Sequence, residues 1–296
     1  MPRITQISRN RMVLADIQAG LERVVRFQDR LASGKRVQVM SDDPASGRRA
    51  LLFRIQQFRT RDYGANIERS LAYIEASDQT FGQMSEVLDE AKELAVQGAN
   101  GTQSAASRQA LATSVDSLLS RTVDLANTVH DGRFIFAGTE VGTRPFALDD
   151  ARSRVHYEGN LDEFSVAISP SASAPVNQNG HTLFKRDADI FAALIDLRDA
   201  LNDNDAEAVS EQIATIDAAH DRVSELHGAL GGRMQRLELT RDQLERADAR
   251  LGELVSQEVD VDMAETVMHY QNAQVALEAG LNAGARVMQP SLLDYL

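Results

Sequence analysis

The chain has no cysteine and no tryptophan. Without cysteine there are no disulfides, no thiolate catalysis and no cysteine-ligated zinc. No apolar run reaches the ~18 residues of a membrane-spanning helix, and residues 1–15 mix arginine with polar side chains. Neither a membrane span nor a cleavable secretory signal is expected, so any exit from the cytoplasm uses a route that needs none. Proline is scarce, with six in 296 residues, and Pro145, Pro170 and Pro175 share one short stretch. The rest of the chain is free to form long helices.

The net charge of −13 conceals an asymmetry. Residues 1–61 hold thirteen Lys or Arg against five acids, while residues 253–296 hold one Arg against seven acids. The two ends are electrically complementary. The acidic remainder argues against a basic arm for nucleic acid or an anionic membrane.

What the sequence does have is heptads. From Asp205 to Glu258, Val209, Ile213, Ile216, Val223, Leu230, Met234, Leu237, Leu244 and Leu251 recur in steps that keep one helix face, with no proline between. At ~1.5 Å per residue this predicts a rod of roughly 75–80 Å. His220, His227, Arg241 and Asp248 occupy the same seam and predict several helices sharing it rather than one dry zipper.

Taken in order, Ile7, Leu14, Ile17, Leu21, Val24 and Leu31 predict a first helix over 4–32, stopped at Ser33 and Gly34. Asp43 and Pro44 start the next, which runs to about Val96 with two apolar registers, Leu51–Ile55–Phe58 and Ile67–Leu71–Ile74, and a slip near Gly64. A turn at 97–107 leads to a third helix ending at Asp131 and Gly132. Residues 133–186 read as strands, at Phe134–Phe136, Val155–Tyr157 and Phe164–Ile168, with a hairpin at Asn179–Gly180. A short helix at 189–201 leads into the long one. Met263, Val267, Tyr270, Leu277 and Leu281 predict a last helix over 263–288.

The first and last helices are similar in length, opposite in charge and too weak to stand alone, so they are expected to pair. Two such helices bury too little surface to offset ordering some sixty residues at ~1–2 kcal/mol each. They are expected to be loose in a monomer and ordered by neighbouring copies. The fold class is mainly α with a small β-rich insert, an elongated antiparallel helical bundle or coiled coil with paired termini. Residues 1–62 with 257–296 form the terminal coiled coil, 63–133 with 187–256 the central helical rod, and 134–186 the β-rich lobe.

Several runs carry a resemblance. Leu31–Val37, reading LASGKRV, then Ser41–Ala45, reading SDDPA, resemble the N-terminal signature of bacterial flagellins. Glu93–Gln97 with Asn100, Gly101 and Thr102 looks like that family's helix end. Leu230, Gly231, Arg236, Leu237 and Glu238 are similar to its LGA…RLE segment, with Gly232 in place of the usual alanine. Arg133–Thr139, Tyr157–Asn160 and the ending Ser291–Leu296 look like the branch found between hook and filament.

The resemblance implies a structural subunit, exported unfolded through the flagellar type III channel and working outside the cell. Its implied partners are further copies of itself, a neighbouring hook-associated protein on the hook side, flagellin on the filament side and an export chaperone. It implies no cofactor and no reaction. Two rivals remain, a filament-forming flagellin and a coiled-coil sensor whose β-rich lobe binds a ligand. His220 and His227 lack a third ligand at helical spacing for a metal. Glu258, Asp260 and Asp262 lack the glycine and distal glutamate of a calcium loop.

Overall fold

A computed structural model describes residues 6–177, 179–186 and 189–288. The described chain forms three helices, then six strands, then four helices: α1 Gln6–Ser33, α2 Pro44–Ala99, α3 Ala105–Ala126, β1 Val129–His130, β2 Arg133–Phe134, β3 Phe146–Leu148, β4 Val155–Tyr157, β5 Ser165–Ser169, β6 Ala172–Pro175, α4 Gly180–Phe184, α5 Ile190–Asn202, α6 Ala206–Val259 and α7 Met263–Met288.

Aspartate and serine set the helix starts, because a side-chain oxygen there satisfies amides that have no intrahelical acceptor. Asp43 Oδ1 accepts from the amides of Ala45 and Ser46, both at 3.1 Å, and Pro44 takes the first helical position. Ser104 caps α3, Asp189 caps α5, Asp205 accepts from Glu207 and Ala208, and Asp262 accepts from Ala264 and Glu265. At the other end of α1, Gly34 takes φ +68°, a conformation that costs glycine nothing.

The chain divides into two compact units, residues 1–58 with 247–296 and residues 59–246. In the second unit, α2 contributes Ile67, Leu71, Ile74, Phe81, Met84 and Leu88 to a core completed by α3, α5 and α6. Along α6 the expected seam is found: Val209, Ile216, Val223, Leu230 and Leu237 are buried, with Ile213, Met234 and Leu244 half-buried beside them. The seam histidines face α2 carboxylates, His227 Nε2 lying 2.8 Å from Asp78 and His220 Nε2 3.4 Å from Asp89.

The strands form three separate antiparallel pairs, β1 with β2, β3 with β4 and β5 with β6. Phe146, Val155 and Ile168 of these strands, with Ile135 and Phe136 just beyond β2, join the helical core. Asn127 ties the end of α3 to β3 as a strand would, its Oδ1 accepting from the Phe146 amide and its Nδ2 donating to the Phe146 carbonyl, both at 2.9 Å.

Three local expectations are corrected. Helix α3 ends at Ala126 rather than Asp131; Asp131 (φ 50°) and Gly132 (φ 74°) instead turn the β1–β2 hairpin, the left-handed pair such a tight turn requires. Asn179–Gly180 is no hairpin, because Asn179 Oδ1 accepts from the Thr182 amide at 2.8 Å and starts α4. Helix α2 shows no slip at Gly64. Its inward residues are Ser46, Ala50, Phe53, Gln57, Thr60, Gly64, Ile67, Leu71 and Ile74, in unbroken steps of four and three, whereas Leu51, Ile55 and Phe58 are exposed.

Candidate assembly surface

Helices α1 and α7 lie antiparallel in the first unit. Gly284 meets Val13 and Ile17, Gly20 meets Leu277, the Phe27 ring stacks on His269 with centroids 5.6 Å apart, and the Val261 amide donates to the Gly34 carbonyl at 3.1 Å. The inner face of α1 is Val13, Ile17, Gly20, Val24, Phe27 and Leu31; that of α7 is Thr266, Tyr270, Ala273, Leu277, Gly280 and Gly284. Both step by four and three. The glycines bring the backbones close: a Cβ on Gly284 would sit 2.9 Å from Val13 Cγ1, and one on Gly20 3.2 Å from Leu277 Cδ1.

The expected pairing residues therefore fall into two groups. Ile17, Val24, Leu31, Tyr270 and Leu277 face the partner helix, while Leu14, Leu21, Met263, Val267 and Leu281 are exposed. The side chain of Ile7 lies outside the described residues. With 3.6 residues per turn, Leu14, Leu21 and Val25 fall about a quarter-turn around α1 from its inner seam. Met263, Val267 and Leu281 fall about as far around α7. Because the helices are antiparallel and both displacements run towards higher residue angle, the two stripes open on the same side of the pair. The Phe27–His269 stack closes the opposite side. Fifteen of the twenty large apolar side chains exposed among the described residues belong to this unit, which holds little more than a third of the chain. A second uncovered face, Leu51, Ile55 and Phe58 on α2, is flanked by Arg48, Arg54 and Arg59.

The small inward residues Gly20, Thr266, Ala273, Gly280 and Gly284 were missed in the sequence because a search for large apolar side chains passes over them. On α7 their spacing of seven, seven and four residues, in step with Tyr270 and Leu277, is the signal that marks them.

A polar clamp holds the α1–α2 loop against the α6–α7 joint. Arg36 donates to Asp43 at 3.1 Å, Ser46 at 3.2 Å and the Glu258 carbonyl at 2.8 Å. Arg49 grips the Glu258 carboxylate through two nitrogens, at 2.7 and 2.8 Å, the fork geometry that only a guanidinium offers. The amides of Arg36 and Val37 both donate to the Val259 carbonyl. Donation from the Ser46 amide and hydroxyl, and then from Arg36, holds the Asp43 carboxyl far below the usual carboxylate range. Arg49 and then Ser46 lower that of Glu258.

A depressed carboxylate stabilises the fold fully above its unfolded pKa, ~4, and loses that contribution as pH falls towards its folded value. Where this unit is ordered, protection of the Arg36, Val37 and Val261 amides from hydrogen exchange is therefore expected to drop as pH is lowered from ~4 to ~2, once corrected for intrinsic exchange. Unchanged protection down to ~2 would show that the clamp does not depend on these two charges.

Long helices whose first and last members pair, leaving one apolar side uncovered, define a structural subunit built to associate. The model of the bacterial flagellin N-terminal helical region matches residues 5–141, and that of the C-terminal helical region residues 213–296. The chain belongs to the flagellin family, whose members are structural components of the flagellum.

Among its relatives, flagellar hook-associated protein 3 of Escherichia coli (strain K12) is 25% identical over 286 residues, covering 88% of each chain. The flagellar filament 33 kDa core protein of Treponema phagedenis is 24% identical over 286 residues, covering 92% of each. In fold, the chain is similar to a flagellar hook-associated protein of Vibrio parahaemolyticus, with TM-score 0.68 and 19% identity over 74% of this chain and all of that one.

Proposed function

We propose that this chain is a non-catalytic subunit of the hook–filament junction, polymerising through the one-sided apolar face of its α1–α7 pair. The observation that carries the reading is that Leu14, Leu21, Val25, Met263, Val267 and Leu281 stay exposed on one side of a paired coil. A soluble monomer gains nothing from such a stripe, whereas a ring of copies buries it. The resemblance to hook-associated protein 3 supports the junction over other positions in the flagellum.

In this reading residues 1–62 and 257–296 are the assembly domain, loose in the free monomer and ordered by contact with adjacent copies. A hook-associated protein lies on the hook side and flagellin on the filament side. The chain reaches them through the flagellar export channel without a cleaved signal, held until then by an export chaperone. Opposite charge on the two ends favours their pairing before any neighbour arrives.

Deletion in a flagellated host tests the role. Hooks remain intact and flagellin is shed into the medium if the chain forms the junction; normal filaments refute it. Adding the purified chain to filament seeds separates it from a filament-forming flagellin, which alone would grow long filaments. Proteolysis of the monomer tests the loose ends, since both are trimmed quickly if they order only on assembly.

A further inference from the structure

The chain contains two Asn-Gly pairs, Asn100–Gly101 and Asn179–Gly180, and the fold treats them oppositely. We propose that Asn100 is a site of spontaneous self-modification, in which the Gly101 amide nitrogen attacks the Asn100 side chain and converts the residue to aspartate and isoaspartate.

Asn-Gly is the most permissive pair for this reaction, since glycine places no Cβ in the path of ring closure. Asn100, Gly101 and Thr102 are exposed in the five-residue turn between α2 and α3. The Gly101 amide makes no hydrogen bond among the described residues, and open space lies where its side chain would be. The Asn100 side chain, in contrast, is held. Its Oδ1 accepts from the Thr102 amide at 3.0 Å and from the Thr102 hydroxyl at 2.8 Å. Those two donors polarise the carbonyl under attack and stand where negative charge develops on Oδ1, the arrangement of an oxyanion hole.

In the reaction, hydroxide takes the Gly101 amide proton and the nitrogen forms a bond to Asn100 Cγ, moving the carbonyl electron pair onto Oδ1. The pair returns as the Cγ–Nδ2 bond breaks, and Nδ2 leaves with a proton as ammonia. Water then opens the five-membered imide at one of its two carbonyls. Opening at Cγ gives aspartate. Opening at the main-chain carbonyl gives isoaspartate, whose backbone runs through Cγ and whose α-carboxylate is free. One ammonia is released and one water consumed, with no change of oxidation state.

The isoaspartate product has a waiting partner. The Asn100 carbonyl, which becomes that carboxylate, accepts from Arg108 Nη2 at 3.0 Å. Arg108 is only 5% exposed and is fixed by further bonds to the Gly98 carbonyl and the Asn204 side chain. A new anion beside a buried guanidinium is a charge-assisted contact. The site thus favours isoaspartate, which lengthens the turn by one backbone atom.

Asn179–Gly180 is the internal control. The Gly180 amide donates to the Phe136 carbonyl at 2.8 Å and the residue is buried, so its nitrogen is neither free nor reachable by hydroxide.

The test incubates the full chain in mildly alkaline buffer and follows both sites by peptide mapping with isoaspartyl methylation. Asn100 is expected to convert at least about tenfold faster than Asn179 in the folded chain, with the two rates converging in urea. Thr102→Val, which removes the hydroxyl donor from an exposed position, is expected to slow Asn100 about tenfold. Equal rates at the two sites in the folded chain overturn the proposal. So does a gap that persists in urea, or a Thr102→Val chain that converts at the parental rate.

Discussion

Leu21→Asp combined with Val267→Asp leaves the free protein folded and removes it from the flagellum, so that cells carrying only this variant shed flagellin as a deletion strain does. The two side chains stand on the same open side of the α1–α7 pair, 53% and 39% exposed. Exposed surface substitutions of this kind usually change monomer stability by only ~0.5 kcal/mol. On the proposed function an assembled ring buries the stripe, and each large apolar side chain removed from water contributes ~1.5–3 kcal/mol. An unpaired carboxylate in its place adds a desolvation cost of several kcal/mol. The sum exceeds ~5 kcal/mol per contact, more than a thousandfold in affinity. Asn272→Asp, an exposed acid on another side of α7, is the control expected to assemble normally. The readouts are thermal melting of the purified variant and immunolabelling of isolated hook–filament complexes. Normal incorporation of the double variant would remove this stripe from the assembly interface.

The helix starts were legible because N-caps are local chemistry. Asp43 before Pro44, Asp189, Asp205 and Asp262 each mark an observed start, and the last helix runs from Met263 to Met288 as its spacing indicates. Which way the stripes point was less legible. A search for large apolar residues on α1 and α7 averages two directions, the inner seam and the uncovered side, since it skips the glycines, alanine and threonine that bring the helices together. On α2, Leu51, Ile55 and Phe58 outrank Ser46 and Ala50 in hydrophobicity, yet the small residues turn inward. Sequence alone reports how apolar a face is, not whether this chain or another covers it. Among the strands, Asp131–Gly132 is an equally good helix stop and hairpin turn, and only the Asn127 bridge to Phe146 decides between them.

Phe184→Ala is expected to unfold the second unit more readily than any surface change, at a cost of ~3–5 kcal/mol. The ring is fully buried among four others: Phe136 at 5.1 Å and Phe146 at 5.6 Å edge-on, and Phe81 and Phe191 at 6.2 Å. Those neighbours come from α2, α5 and the β-rich segment, so one side chain joins long helices to strands of two to five residues. A lone two-stranded hairpin is marginal in water, and the three pairs form no shared sheet. Their anchorage is the aromatic core, not each other. Truncating the ring opens a cavity that the rigid helices cannot fill by collapse, and against a typical domain stability of ~5–15 kcal/mol the loss is a large fraction. Thermal unfolding of this unit should fall by roughly 10 °C or more. Amide protection at Ile135, Phe136 and Phe146 should fall in the same samples, before the helical amides of α2 and α6. Phe184→Leu, which keeps most of the apolar volume, should lose markedly less. A Phe184→Ala loss below ~1 kcal/mol would mean that the hairpins are held by their loop hydrogen bonds, such as Tyr73 to the Ile135 carbonyl, and not by the rings.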